Sequence, residues 1–174
     1  MTDQQAVRAL TRRQLLARAS AAGATLVVGA GFVAAPDAAW ALETTALKPE
    51  TFATLVQMAR DIYPHDRVGT EYYAVAVKGY DSAEAAPMVE AGVAALDAAA
   101  RGHGFASYLG TGWESDRVAI LRGIEDSPFF QTVRGGLVTG LYNQKALWPL
   151  FGYEGESYSK GGYLHRGFDD IAWL

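Results

Sequence analysis

Three histidines carry most of the acid–base potential of this chain: His65, His103 and His165. His65 stands between Pro64 and Asp66, where a carboxylate could orient the imidazole for general acid–base work. A turn histidine with a local polar partner explains the same residues without chemistry. No histidine has a second ligand at helical or loop spacing. There is no HExxH, no paired Glu-x-x-His and no Cys/His set, so zinc and di-iron sites have no support. Cysteine is absent, which excludes disulfides, thiolate nucleophiles, iron–sulfur ligation and a CxxCH haem attachment. Asp169-Asp170 is a candidate cation contact, although adjacent carboxylates are ordinarily just solvated. Gly102-His103-Gly104 follows a helical pattern rather than a strand and lacks the rest of a dinucleotide fingerprint. Gly161-Gly162 could admit a phosphate, but no helix start follows it. Ser107, Ser115, Ser127, Ser157 and Ser159 lack a nucleophile-elbow context. The residue pattern assigns this chain no catalytic, cofactor-binding or metal-binding residue.

The elements that would position these groups read as helices. Pro49 opens the first, at a position where its missing N–H costs nothing. Phe52, Leu55, Val56, Met58, Ala59 and Ile62 then recur at helical spacing, and Pro64 ends the run near Tyr63. A second helix is expected over Thr70 to Tyr80, with Tyr73, Val77 and Tyr80 in one stripe and Asp81-Ser82 as its break. A third starts near Ala83 or Ala86 with Pro87 in its first turn. It buries Met88, Val89, Val93, Leu96 and Ala100 and stops at Gly102. Phe105 to Trp113 reads as a loop with aromatic anchors. A fourth helix begins at Glu114 or Ser115, with Val118, Leu121 and Ile124 facing inward. Ser127 caps the fifth and Pro128 takes its first position; Phe129, Phe130, Val133, Leu137, Leu141 and Tyr142 follow. Gly135, Gly136 and Gly140 inside it point to close helix packing or to backbone approach by a ligand. No stretch alternates long enough for a sheet. The expectation is all-α, a small bundle of about five helices.

From Trp148 to Leu174 this texture gives way to a glycine-rich segment without helical or strand period. Aromatics recur along it, whereas disordered tails are depleted in them. Trp148, Phe151, Tyr153, Tyr158, Tyr163, Phe168 and Trp173 are the candidate partner contacts, since Tyr and Trp are favoured interface anchors. Packing against the chain's own bundle is the competing explanation.

The first forty-one residues are of another kind. Thr11-Arg12-Arg13-Gln14-Leu15-Leu16 precedes an uncharged run from Ala19 to Ala35, and Ala39-Trp40-Ala41 follows. A basic start, a weakly apolar middle and an A-x-A site form a secretory signal. The Arg12-Arg13 pair with Leu15 and Leu16 assigns it to the twin-arginine route, with cleavage expected after Ala41 and the periplasm as destination. A spanning helix needs about 20 strongly apolar residues, and this run is shorter and weaker. That leaves a domain of residues 42–174, with Glu43 to Lys48 as a short linker. It holds 11 Lys+Arg against 17 Asp+Glu, a formal charge of −6. An acidic domain without a basic cluster argues against nucleic acid as a partner. The twin-arginine route carries folded, often cofactor-laden cargo, yet no cofactor site is visible.

The chain resembles the gluconate 2-dehydrogenase subunit 3 family, the small subunits of bacterial flavin-dependent sugar and alcohol dehydrogenases. The resemblance spans the mature chain. It rests on the twin-arginine start, the helix from Phe52 to Ile62 running into Pro64, and the ending Leu141-Tyr142-Asn143, Phe151-Gly152-Tyr153-Glu154-Gly155, Gly161-Gly162-Tyr163-Leu164 and Phe168-Asp169-Asp170. Many members carry Pro-Gly-Ala shortly after the proline; this chain reads His65-Asp66-Arg67-Val68-Gly69. The resemblance implies a non-catalytic accessory subunit, with FAD held by a large subunit of the glucose-methanol-choline oxidoreductase type. In such systems a membrane-attached cytochrome c subunit often accepts the electrons; the Arg12-Arg13 signal itself implies the twin-arginine (Tat) translocase as a partner. Two rival expectations remain. One is a self-sufficient periplasmic enzyme using His65, Asp66 and His165; the other is a periplasmic binding or scaffold protein without redox role.

Overall fold

A computed structural model describes residues 44–165. The fold is all-α, and the described residues form five α-helices: α1 Pro49–Ile62, α2 Thr70–Val77, α3 Ala86–Gly102, α4 Glu114–Arg122 and α5 Pro128–Tyr142. Proline sits in the first turn of α1, α3 and α5, where its fixed φ suits the helix. The Ser127 hydroxyl accepts from the Phe130 N–H at 3.2 Å, a side-chain cap for α5. At the other end of α3, Gly104 takes φ +89°. The Phe105 N–H then turns back to the Ala100 carbonyl at 3.0 Å. A residue with a Cβ would be strained in that left-handed stop.

α1 lies at the centre, in contact with α2, α3, α4 and α5; α2 and α5 share the most extensive packing. The α1 face reaches the core as its spacing requires: Phe52, Leu55, Val56, Met58 and Ala59 are buried. Tyr73 and Val77 from α2, Val89, Val93, Leu96 and Ala100 from α3, and Phe129, Val133, Leu137 and Leu141 from α5 complete it. Two α5 glycines explain its closeness to α2. A methyl on Gly140 would come 2.7 Å from the Ala76 carbonyl oxygen, and one on Gly136 would collide with the Tyr80 hydroxyl. Gly135 faces open space, so close packing accounts for two of the three.

Several expectations change. In α4 the fully buried residue is Ile120, with Leu121; Val118 and Ile124 are only half-buried. α4 ends at Arg122, so Ile124 falls beyond it, and the buried pair Ile120 and Leu121 faces α1 and α3. The expected second helix tightens at Lys78–Tyr80 into a 3₁₀ turn. Asp81, expected as a helix break, does more. Its carboxylate accepts the backbone N–H groups of Thr45, Ala46 and Leu47, each at 2.8 Å, and the Lys78 ammonium at 3.0 Å. Glu90 on α3 likewise takes the Lys48 N–H and the Thr51 hydroxyl. The described part of the expected linker is thus held against the body, and Leu47 lies in the core.

The C-terminal segment does not start irregular. Lys145–Phe151 is a 3₁₀ helix with Pro149 inside it and Leu147 fully buried. Tyr158–Lys160 forms a second short 3₁₀ turn. Arg12, Arg13, Leu15, Leu16, Ala39, Ala41, Phe168 and Trp173 lie outside the described residues.

Candidate functional site

The densest polar arrangement centres on Asp61, in the last turn of α1. Its side chain is 2 % exposed. Arg117 of α4 approaches edge-on, with Nε 2.7 Å from Oδ2 and Nη2 3.0 Å from Oδ1. The Tyr108 hydroxyl donates to Oδ2 at 2.6 Å, and the Gln57 amide to Oδ1 at 3.1 Å. Arg117 also donates to the Thr111 carbonyl, and Asp97 accepts the Tyr108 N–H. Burial and the Asp61 carboxylate push the Tyr108 hydroxyl far above its ordinary range. Burial works against the Arg117 charge, but its hydrogen bonds to Asp61 raise it above its usual value. Both oxygens of Asp61 are spoken for, and Tyr108 holds its proton firmly. These groups hold the loop between α3 and α4 on the bundle.

The chemistry-bearing residues of the sequence are not gathered. His65 faces Tyr142 of α5, with Nε2 2.7 Å from the hydroxyl. Phe151 packs edge-on to the same imidazole at 5.1 Å and lies 5.6 Å from the Tyr142 ring. Asp66, the expected orienting carboxylate, is exposed. His165 is exposed too, and among the described residues no hydrogen bond or ion pair joins it to His65 or Asp66. Among the described residues no three His, Asp or Glu side chains are placed to hold a metal ion. No described helix is long and apolar enough to cross a membrane.

The candidate contact aromatics divide into two sets. Trp148 is half-buried; its indole N–H donates to the Tyr142 carbonyl at 3.0 Å, and its ring meets Tyr153 at 5.1 Å. Trp148 and Phe151 fasten the 3₁₀ helix to the end of α5 and to His65; Tyr153 packs on Trp148 within the segment itself, and Phe151 and Tyr153 stay 42 % and 49 % exposed. Tyr158 and Tyr163 are different, at 94 % and 76 % exposed, with Leu164 beside them at 74 %. Trp113, expected as a loop anchor, is 77 % exposed; Tyr108 is the residue that anchors that loop.

A cleft of about 270 Å³ opens between the end of α1, α4 and the first half of α5. Ile62, Leu121 and Phe130 give it apolar walls, and Arg122, Glu125 and Arg134 stand at its exposed side. Neither arginine has an ion-pair or hydrogen-bond partner among the described residues. Residue types alone did not mark this cleft, because the helices that form it are contiguous only in space. No family model, curated protein or solved structure matches the chain.

Proposed function

We propose that this chain is an exported, non-catalytic accessory subunit of a periplasmic FAD-dependent sugar or polyol dehydrogenase. It would carry a flavin-bearing large subunit of the glucose-methanol-choline type through the twin-arginine route and stabilise it. A cytochrome c subunit would complete the electron path. The observation that carries this reading is the exposure of Tyr158, Tyr163 and Leu164 on the C-terminal segment, where Phe151 and Tyr153 are partly exposed as well. Large apolar side chains left in solvent on an ordered segment are characteristic of a contact surface. The tail motifs resembling the small-subunit family, and the twin-arginine signal on a chain whose own residues suggest no cofactor site, support the same reading. Substrate chemistry belongs to the partner, and this chain contributes surface.

Co-expression with a signal-less flavoprotein from the neighbouring reading frames tests it. The expected result is a co-purifying complex with bound FAD, lost or weakened by Tyr158→Ala/Tyr163→Ala. A chain that stays soluble alone and retains no flavoprotein would overturn the proposal.

A further inference from the structure

The cleft between α1, α4 and α5 has a chemistry that the accessory role does not use. Its apolar walls, Ile62, Leu121 and Phe130, adjoin two exposed guanidinium groups, Arg122 and Arg134. Neither is matched within the described residues, although two carboxylates line the same cleft: Glu125 at its exposed side and the buried Asp61, which is taken up by Arg117. The occupant that fits is a short segment with carboxylates next to large apolar side chains. Arginine favours such carboxylates because its planar fork can donate two parallel hydrogen bonds.

The chain itself supplies one. Residues 166–174 read Arg166-Gly167-Phe168-Asp169-Asp170-Ile171-Ala172-Trp173-Leu174, with adjacent carboxylates flanked by Phe168, Ile171 and Trp173. Asp169 and Asp170 outnumber Arg166, so the segment opposes the two arginines in charge. Its root is nearby. Tyr63 lines the cleft and stacks edge-on with Tyr142 at 5.7 Å. Tyr142 in turn packs on Phe151, from which the C-terminal segment departs. Nine extended residues reach about 30 Å, comparable with the breadth of a domain of this size.

We propose that the cleft is the docking site for the chain's own residues 166–174. Asp169 and Asp170 lie against Arg122 and Arg134, and the neighbouring apolar side chains enter between α1, α4 and α5. This concerns the chain by itself and holds whether or not a flavoprotein partner exists.

Full-length chain labelled with 5-fluorotryptophan tests it by fluorine NMR, with Trp173 assigned through Trp173→Phe. Trp113, exposed, is the internal reference for solvent. The expected result is a Trp173 resonance shielded from solvent, with a smaller H₂O/D₂O shift than Trp113. Arg122→Glu/Arg134→Glu should move it to the solvent position, and adding Asp169→Arg/Asp170→Arg should restore it. The half-buried Trp148 reports whether the reversed bundle is still folded. If it is not, Asp169→Asn/Asp170→Asn changes the segment alone and should release Trp173 by itself. A Trp173 that is solvent-exposed in the unaltered chain overturns the proposal. So does one that stays shielded when the folded arginine-reversed chain or the Asn variant is examined.

Discussion

Arg117 and Asp61 meet edge to edge across 56 residues of sequence, with two hydrogen bonds of 2.7 and 3.0 Å. This pair joins the last turn of α1 to α4. With Tyr108 it also holds the loop between α3 and α4, a loop without regular structure of its own. The connection between distant parts of the chain is made by charge and geometry here, in a domain that has no disulfide to do it.

Removing either partner should therefore be severe. Asp61→Ala leaves Arg117 charged and largely out of water, and breaking such a pair costs about 3–5 kcal/mol. Tyr108→Phe removes one hydrogen bond to a charged group, about 1.5–3 kcal/mol. Arg117→Lys loses the two-pronged contact and should fall between wild type and Asp61→Ala. Urea unfolding measures all three as shifts in midpoint at unchanged slope. An Asp61→Ala chain as stable as wild type would show that the network is decorative.

Asp81 makes stability depend on pH in a defined direction. Burial works to raise its pKa, but three backbone N–H groups and Lys78 outweigh burial and hold the carboxyl well below the usual range. A carboxyl depressed on folding contributes fully above its unfolded pKa of about 4 and loses that contribution as pH falls through the folded value. The stability gap between wild type and Asp81→Asn should be constant above about pH 5 and narrow steadily below about pH 4. Amide exchange at Thr45, Ala46 and Leu47 should quicken over the same acid range. A gap that does not change with pH would mean the clasp does not depend on the ionised form.

The helices were legible because their boundaries are written in local chemistry. Pro49, Pro87 and Pro128 mark starts, Pro64 and Gly102-His103-Gly104 mark stops, and the apolar spacing between them is helical. What was not legible depends on contacts between distant positions. Asp81 looks like a helix break until Thr45, Ala46 and Leu47 are seen folded onto it. Tyr108 and Trp113 are both loop aromatics by sequence, yet one is fully buried and the other exposed, because only Tyr108 has Asp61 within reach. Lys145–Phe151 was hidden by Pro149, which argues against an α-helix but fits the 3₁₀ turn that forms. The tail aromatics stood out by type, while the contact of Trp148 and Phe151 with Tyr142 follows from where α5 ends.

Gly135 and Gly140 should respond oppositely to alanine. At Gly135 the new methyl meets nothing, so the gain in helix propensity, up to about 1 kcal/mol, should appear as a higher melting temperature. At Gly140 it meets the Ala76 backbone at 2.7 Å. The α2–α5 contact must then open, at a cost of about 1–3 kcal/mol. Thermal unfolding of the two variants side by side checks the sign. Destabilisation by both, to a similar degree, would mean that α2–α5 closeness is not what the glycines serve.

The accessory-subunit proposal makes its sharpest prediction at Arg12-Arg13. On this proposal the flavin belongs to the partner, so the domain has little need of its own for a route that exports folded cargo. A bound flavoprotein does have that need, if it lacks a signal. Arg12→Lys/Arg13→Lys should therefore strand two proteins in the cytoplasm, this chain and its flavoprotein, and periplasmic dehydrogenase activity should disappear while cytoplasmic flavoprotein accumulates. Fractionation followed by immunoblotting of both chains reads the outcome. Tyr158→Ala/Tyr163→Ala separates the roles: this chain should still be exported, leaving the flavoprotein behind. If the flavoprotein reaches the periplasm in the Arg12→Lys/Arg13→Lys strain, the signal does not serve a complex.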